Sequence, residues 1–574
     1  MKVARSPLRT LLRFLCLAAA ALTSWQYRWL LDPDGICYVD IAKAYLRHDW
    51  QTALSSYWSP LFSWLLAGVF GVVRPSALRE IPLVHAVMFL GFAGGVACWE
   101  WLKHEWEQWK GPAAHPVLWD CAGYACLFWA GTHMQTLVIT TPDVLLLPAF
   151  LASAAIQVRF RAGKAGMPAA TGLGIVLGLG FLAKAAFLPA IAVLLLSLTW
   201  SGATRRQAGV ALLSLLATVL PFLAAVSLEK GRPVLSDSGR LNYSWVVNGF
   251  AVDGYKEGVR RPPPGLAHPA RVVFEEPLVL SYDQHILGTI PAHLDPSWWS
   301  EGYPVEFDAA RQTGALESGV ATSLWHLAGL PAVFLAALIL TTGGRRSLGP
   351  ALDFTSVWWI WLPPAGVIAA YCMVFVQERY LAAPMVLLGF ALLAASAPFQ
   401  IPQRLLPAVF GLFLAAFACT AYRELNAFVP AVRELFGRID NPLSFVPTAA
   451  NNLKNEGMKP GDRVAIIGDQ LSVPWLELAG GSVVAAIPAS VRHDEEQFDR
   501  PLRVSFERPT AFWRSEPAVR SQILETLKGL GARYVIARPV PETADLDGWI
   551  RLSGEDAYRV PGFRTGIYLK RLGP

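Results

Sequence analysis

The chain has 574 residues, of which 54% are hydrophobic and only 16% charged, where a soluble domain carries about 25% charged residues. With 22 Trp and 29 Phe it holds more apolar surface than one water-facing globule can bury, which points to a polytopic membrane protein and excludes disorder, collagen-like repeats and a small disulfide scaffold. The formal charge of +6 is spread over short Lys/Arg clusters between apolar runs, the arrangement of a topology signal rather than of a nucleic-acid surface.

In chain order, apolar runs suited to spanning helices of about 20 residues fall at 14–31 (interrupted by Arg28), 81–99, 121–142, 144–158, 165–183, 185–204, 207–228, 318–344, 354–377, 380–403 and 405–422. With the N-terminus cytoplasmic, these eleven spans put Lys2, Arg5, Arg9, Arg13, Lys103, Lys110, Arg159, Arg161, Lys164, Arg205, Arg206, Arg345, Arg346 and Arg404 inside. Little more than Lys184 and Arg379 is left in the short outer turns, as the positive-inside rule asks. Counting 51–73 as a further span would invert everything after it, so that run is read as an interfacial or re-entrant helix broken at Ser59-Pro60. Basic residues before an apolar run also fit a signal peptide at the first segment, whose cleavage would strip the helix that anchors the next loop. The seven cysteines lie in or beside apolar segments, so neither a disulfide framework nor a CxxC metal pair is expected.

The fold class expected is a polytopic α-helical membrane protein, about eleven transmembrane helices, with a long outer loop and a small C-terminal α/β domain. Residues 1–422 form the membrane unit, with outer loops 32–80 and 229–317, and residues 423–574 an extracytoplasmic domain. In that domain the pattern predicts strands at Arg463–Asp469, Ser482–Pro488, Arg533–Arg538 and Gly566–Leu572, and a helix near Glu516–Leu530. It contains no GxGxxG and no P-loop, so no nucleotide cofactor is expected.

The topology rests on basic residues alone, which makes the outer positions of the acids independent of it. Asp34, Asp40 and Asp49 follow the first span, and Asp143, Lys184, Glu378 and Arg379 land at outer helix ends. Ionisable groups at membrane depth are costly and are functional candidates by default. Asp34, Tyr38 and Ala42 form an i, i+4, i+8 series that puts the carboxylate at the start of a helix. Plainer readings stand beside each: Asp34 as a helix cap, Asp143 as a cap for the span beginning at Val144, Lys184 snorkelling to headgroups, Glu378 and Arg379 as interfacial anchors, and Asp40 and Asp49 as a solvated face and a turn residue.

The segment Asp34-x-x-x-Tyr38-x-x-x-Ala42, followed by His48-Asp49-Trp50 and Tyr57-Trp58-Ser59-Pro60-Leu61, resembles the first outer loop of the glycosyltransferase-C superfamily. These are polyprenyl-phosphate-sugar-dependent enzymes, among them the protein O-mannosyltransferases and the lipid A aminoarabinose transferases. Thr140-Thr141-Pro142-Asp143, Gly178-Leu179-Gly180-Phe181-Leu182-Ala183-Lys184 and Glu378-Arg379-Tyr380-Leu381-Ala382-Ala383-Pro384 resemble further motifs of that superfamily, in the expected order. The likeness runs over roughly residues 10–400. One departure is Trp58-Ser59-Pro60-Leu61, where aminoarabinose-type enzymes carry Lys-Pro-Pro-Leu. A phosphate-binding lysine is missing there, so that branch's acceptor class does not carry over.

The resemblance implies an enzyme of the cytoplasmic (inner) membrane that moves a sugar from a polyprenyl-phosphate donor to an acceptor hydroxyl on the outer face, with inversion. Asp34 would be the general base, Asp143 would orient the acceptor, assist the base or help hold a divalent ion, and Lys184 and Arg379 would bind the donor phosphate. Tyr38, Asp40, Tyr57, Glu378, Tyr380 and His268 would line or support the site. The acceptor, whether lipid, glycan or protein, is left open. The metal is unknown: a divalent ion is an option, through Asp143 or through the His268, His285, His293 and Asp295 region of the long loop, but no compact ligand spacing of the HExxH kind appears there. Membrane lipids are expected partners and nucleic acid is not. The rival readings are a transporter or lipid flippase, although no internal repeat is found between the halves, and a non-catalytic assembly or binding protein whose terminal domain does the work.

Overall fold

The computed structural model describes residues 7–250, 266–282, 285–286, 288–327, 354–396, 407–408, 411, 422, 428–437, 441–488, 490–492, 505–507, 510–554 and 562–573. The helices that concern the site are α1 (Pro7–Gln26), α2 (Pro33–Arg47), α3 (Pro60–Val73), α4 (Ala77–Lys110), α5 (Pro116–Gly131), α6 (Asp143–Arg161), α7 (Met167–Ala183), α8 (Leu188–Ser197), α9 (Arg205–Glu229), α10 (Ala309–Leu327), α11 (Trp358–Cys372) and α12 (Glu378–Ser396). Proline opens α2, α3 and α5, where its missing N–H is no loss and its fixed φ suits the first turn. Among the described residues α1, α4, α6, α9 and α12 are long and apolar enough to cross a membrane, and α3, α7 and the run Ala185–Trp200 are shorter apolar helices.

The expected break before Pro60 is present: a short helix Trp50–Ala53 ends ahead of it, and α3 begins at Pro60. At 14 residues α3 is about 21 Å long, less than the roughly 30 Å of a bilayer core. The run 121–142, read as one span, is not one helix. It stops at Gly131, and residues 132–142 form turns with Gln135 at φ 58°. Within 132–142 the threonine hydroxyls at 132, 136 and 141 bond locally, the Thr140 N–H goes to Asp32, and Pro142 stands at the cap of the next helix. The expected span 318–344 begins earlier, within α10, and its remainder lies outside the described residues, as does most of 405–422 and the end of 380–403.

Helix α6 packs along α4 and α9 along α7. The second pair is close because Gly174 and Gly178 face α9. A Cβ at Gly178 would sit 2.6 Å from Thr218 Cβ, and one at Gly174 would collide with the Ala211 carbonyl. Small residues four apart are how apolar helices approach without a hydrophobic gain between them.

The C-terminal region contains β3 (Arg463–Gly468), β4 (Ser482–Pro488), β5 (Tyr534–Arg538), β6 (Ile550–Arg551) and β7 (Tyr568–Arg571), with a helix Pro517–Gly529. Two further strands, β1 (Arg271–Phe274) and β2 (Val279–Ser281), come from the long loop and complete a seven-stranded sheet of order β1-β2-β4-β3-β5-β7-β6. Strand β3 runs parallel to β4 and β5, and the remaining pairs are antiparallel. Alternation sorts the side chains: Val464 and Ile466 join the core shared with the membrane helices, while Ala465 and Ile467 pack with Ile523 and Leu527 of the helix on the other face. The loop is thus stitched into the terminal sheet.

Candidate active site

Helix α2 carries Asp34 in its first turn, where the helix dipole favours a carboxylate. The capping position belongs to Asp32, so the plainer reading of Asp34 as a cap is not what the chain adopts. Instead, Asp34 Oδ2 accepts from an Arg379 guanidinium nitrogen at 2.9 Å, and Oδ1 lies 3.1 Å from His293 Nε2. The Arg379 Nε is 3.4 Å from Asp143 Oδ2, and Lys184 Nζ is 2.5 Å from Asp143 Oδ1. Donors and carboxylates therefore alternate in one line, His293–Asp34–Arg379–Asp143–Lys184, drawn from α2, α6, the α7 terminus, the long loop and α12.

Local structure explains each placement. Asp143 is the first residue of α6, 1% exposed, and takes a further hydrogen bond of 2.8 Å from the Thr141 hydroxyl. Asp32 accepts from the Thr140 backbone N–H at 2.8 Å and from its hydroxyl, which fastens the irregular 132–142 segment to the start of α2. Gly35 leaves the space for this, since a Cβ there would overlap the Thr140 hydroxyl. Lys184 ends α7 in extended conformation, and its ammonium lies 3.7 Å from the centroid of the Tyr380 ring, which stacks on Tyr371 at 4.8 Å. Glu378 accepts from Gln135 Nε2 at 2.7 Å. Tyr38 and Tyr57 both pack edge-on against Trp58, at 5.2 and 4.7 Å, and the Tyr57 hydroxyl accepts from Asn242.

Burial opposes ionisation of Asp34, but the His293 hydrogen bond and the Arg379 charge outweigh it and hold the carboxyl down to about 2. It is ionised throughout the neutral range.

Two of the anticipated residues make their contacts elsewhere. Asp40 Oδ2 accepts from Thr289 N at 2.9 Å and neighbours Glu477 of the terminal domain. Glu477 in turn is 2.5 Å from Lys43, which is 2.8 Å from Glu80. Burial and the adjacent Glu477 charge raise the Asp40 carboxyl well above its usual range. His268 stacks on Trp298, which stacks on His285 on its other side, and it pairs with Glu301 at 3.0 Å. Asp49, expected as a turn residue, instead caps the short helix Trp50–Ala53, its carboxylate accepting from Thr52 N at 3.3 Å.

Sequence reasoning treated His293 only as a metal option and passed over Asp32 and Gln135. The signal for Asp32 was its place two residues before Asp34. The donor set of the cluster does not suit a metal: the Arg379 guanidinium already lies between Asp34 and Asp143, and the described residues bring together no three His, Cys, Asp or Glu groups able to hold an ion. Next along the chain from Lys184, Ala185 joins Phe181, Leu182, Phe222, Leu223, Ser55 and Ser56 around a small, part-open crevice.

No family model matches the chain, and no curated protein matches it. Among solved structures it is similar to ArnT from Cupriavidus metallidurans bound to undecaprenyl phosphate, at 11% identity over 98% of this chain and 99% of that one, with a TM-score of 0.49. It is also similar to an Archaeoglobus fulgidus oligosaccharyltransferase in complex with Zn and sulfate (13% identity, 91% of this chain and 68% of that one, TM-score 0.41). A third is the mycobacterial arabinofuranosyltransferase AftD (13% identity, 99% of this chain and 42% of that one, TM-score 0.42).

Proposed function

We propose that the protein is an integral membrane glycosyltransferase that moves a sugar from a polyprenyl-phosphate carrier to an acceptor hydroxyl on the extracytoplasmic side, with inversion. The observation that carries this reading is the single line of charge in which Arg379 bridges Asp34 and Asp143 while Lys184 holds Asp143 from the other side. Together with the stretches that resemble superfamily motifs, in which all four residues lie, it supplies a base and two cations for a departing phosphate.

The donor phosphate binds Lys184 and Arg379, which have donors to share beyond their carboxylate contacts. As Arg379 turns to the phosphate, Asp34 loses its cationic partner and becomes a stronger base, so the carboxylate gains proton affinity when donor is present. The acceptor oxygen then attacks the anomeric carbon and its proton passes to Asp34. The carbon–phosphate-oxygen bond breaks with its electron pair on the phosphate, and Lys184 and Arg379 stabilise the growing charge. Asp143, fixed by Lys184 and Thr141, keeps both cations in register. The Tyr38, Tyr57 and Tyr380 rings line the approach.

The test is purified full-length protein in proteoliposomes with a panel of polyprenyl-phosphate pentoses and hexoses and candidate acceptors. Transfer by wild type and its loss in Asp34→Asn support the reading. Movement of a solute or lipid across the bilayer without any glycosidic product overturns it.

A further inference from the structure

The residue that completes the coordination of Asp34 comes from neither a membrane helix nor a motif. His293 lies in the short helix Pro291–Leu294 of the long loop, 259 residues from its partner in sequence, and its side chain is 14% exposed. Its backbone is fixed. The Trp58 indole N–H reaches the carbonyls of His293 and Leu294 at 3.2 and 3.1 Å, and the Trp58 ring packs edge-on against the imidazole at 5.4 Å.

The strand of chain leading to His293 is fixed as well. Ser482 Oγ donates to the Gly288 carbonyl at 2.6 Å, and Val483 N donates to the Thr289 carbonyl at 3.3 Å. Both donors belong to β4. Thr289 N donates to Asp40 on α2, and its hydroxyl donates to Glu477. Residues 288–294 therefore form a strap laid along α2, held to the terminal sheet at one end and touching Asp34 at the other. Asp34 and Asp40 sit six residues apart on the same helix, and the strap reaches both.

We propose that His293 is a positioning residue for Asp34, and that the terminal sheet, through the strap 288–294, sets the aim and the acidity of the proposed base. This deepens the proposed function and rests on it for its catalytic meaning. The geometry itself is independent of what the enzyme transfers. The groups facing Asp34 are Asp32 on the segment before α2, Tyr38 of α2 itself, Tyr57 before α3, Arg379 and Tyr380 of α12, Lys184 at the α7 terminus and His293 of the strap. Of these, His293 is contributed by the long loop. Burial pushes the Asp34 carboxyl up, and the His293 hydrogen bond is the largest of the influences that bring it down to about 2.

The experiment is carbon-13 carboxyl NMR of the full-length, aspartate-labelled protein in detergent, with the Asp34 signal assigned by its loss in Asp34→Asn. His293→Ala is expected to move the Asp34 titration upward by about one to two pH units, the usual worth of a hydrogen bond to a charged group. His293→Gln, which keeps a donor, is expected to move it by less than half as much. Thr289→Val, which leaves the imidazole present but loosens the strap, is expected to shift it in the same direction by a smaller amount. An Asp34 titration unchanged in His293→Ala overturns the proposal whether or not the protein transfers sugar.

Kinetics separate this failure from that of the functional reading. If wild type transfers sugar and His293→Ala lowers kcat while leaving its acid limb at the wild-type pH, the imidazole has only a structural role and the proposal fails while the glycosyltransferase stands. If wild type transfers nothing and the NMR shift is seen, the strap stands and the functional reading fails.

Discussion

Helix α6 has a cluster of charge at each end, and the two ends behave differently. About 24 Å from Asp143, Arg159 pairs with Glu105 at 3.1 Å. Nearby, Lys103 pairs with Asp120, Arg9 contacts Asp120 and Glu107 at 3.3 and 3.4 Å, and Arg13 contacts Glu100. These partners belong to α1, α4, α5 and α6, helices that are already neighbours, and the pairs tie those helices together. The Asp143 end instead joins five segments, two of them more than 250 residues from α2, and sets tyrosine rings against the ions. A charge at the end of a membrane helix is therefore not in itself a sign of chemistry. Convergence of separated segments on one carboxylate is the better sign.

The comparison is broken most severely at Asp34. Asp34→Asn is expected to lower single-turnover transfer by about 10²–10⁴-fold in a protein that still folds, with a melting temperature lowered by the lost ion pairs while Arg379 keeps its Asp143 contact. Next comes Arg379→Met, expected to cost about 10²–10³-fold in kcat and to raise the KM for the lipid donor. An equal effect of Lys103→Met on turnover per folded molecule would erase the distinction between the two ends. Lys103→Met should instead act on stability. Its side chain and that of Asp120 are 3% and 5% exposed, and removing one partner of a buried pair costs about 3–5 kcal/mol, read as a lower melting temperature and relieved in part by a second change, Asp120→Leu.

A pH profile sharpens the contrast further. Asp34 is held down to about 2, below the roughly 3.9 of a free aspartate. Its ion pairs therefore stabilise the fold above about pH 4 and are lost as pH falls towards 2. In kcat/KM, which reports the free enzyme, Asp34 should produce no acid limb above about pH 4. In kcat the limb should lie higher, because bound phosphate draws Arg379 away. Coincident limbs would show that donor binding leaves Asp34 untouched. The smallest effect is expected at the exposed edge of the cluster at the other end of α6: Arg159→Ala, with a side chain 39% exposed, should change stability by less than about 1 kcal/mol.

Much of the Asp34–Asp143 cluster was legible from the amino acids. Asp34, Asp143, Lys184 and Arg379 are charges at the ends of apolar runs, all on one side once the basic residues set the topology, and the structure brings them within hydrogen-bonding or ionic contact. The helix Pro517–Gly529 and strands β3, β4, β5 and β7 follow from local alternation and turn residues. What local pattern could not supply is pairing across the chain. Strands β1 and β2 are too short to stand out in a Pro-rich loop, and they are strands because β4 offers an edge. Asp40 was read with the site because it is near Asp34 in sequence, yet six residues along a helix turn it towards Thr289 and Glu477. His268 was drawn in by its type, but the planar Trp298 beside it decides where it lies. The break at 132–142 was hidden by apolar neighbours, and it is that irregular segment which fastens Asp32 and delivers Asp143.

The most direct measurement is donor binding and single-turnover transfer on the same preparations of wild type and Asp34→Asn, with a polyprenyl-phosphate sugar as donor. Asp34→Asn should bind the lipid at least as tightly as wild type, through Lys184 and Arg379, while only wild type releases polyprenyl phosphate and forms an inverted glycosidic product. An Asp34→Asn protein that transfers sugar at the wild-type rate would contradict it.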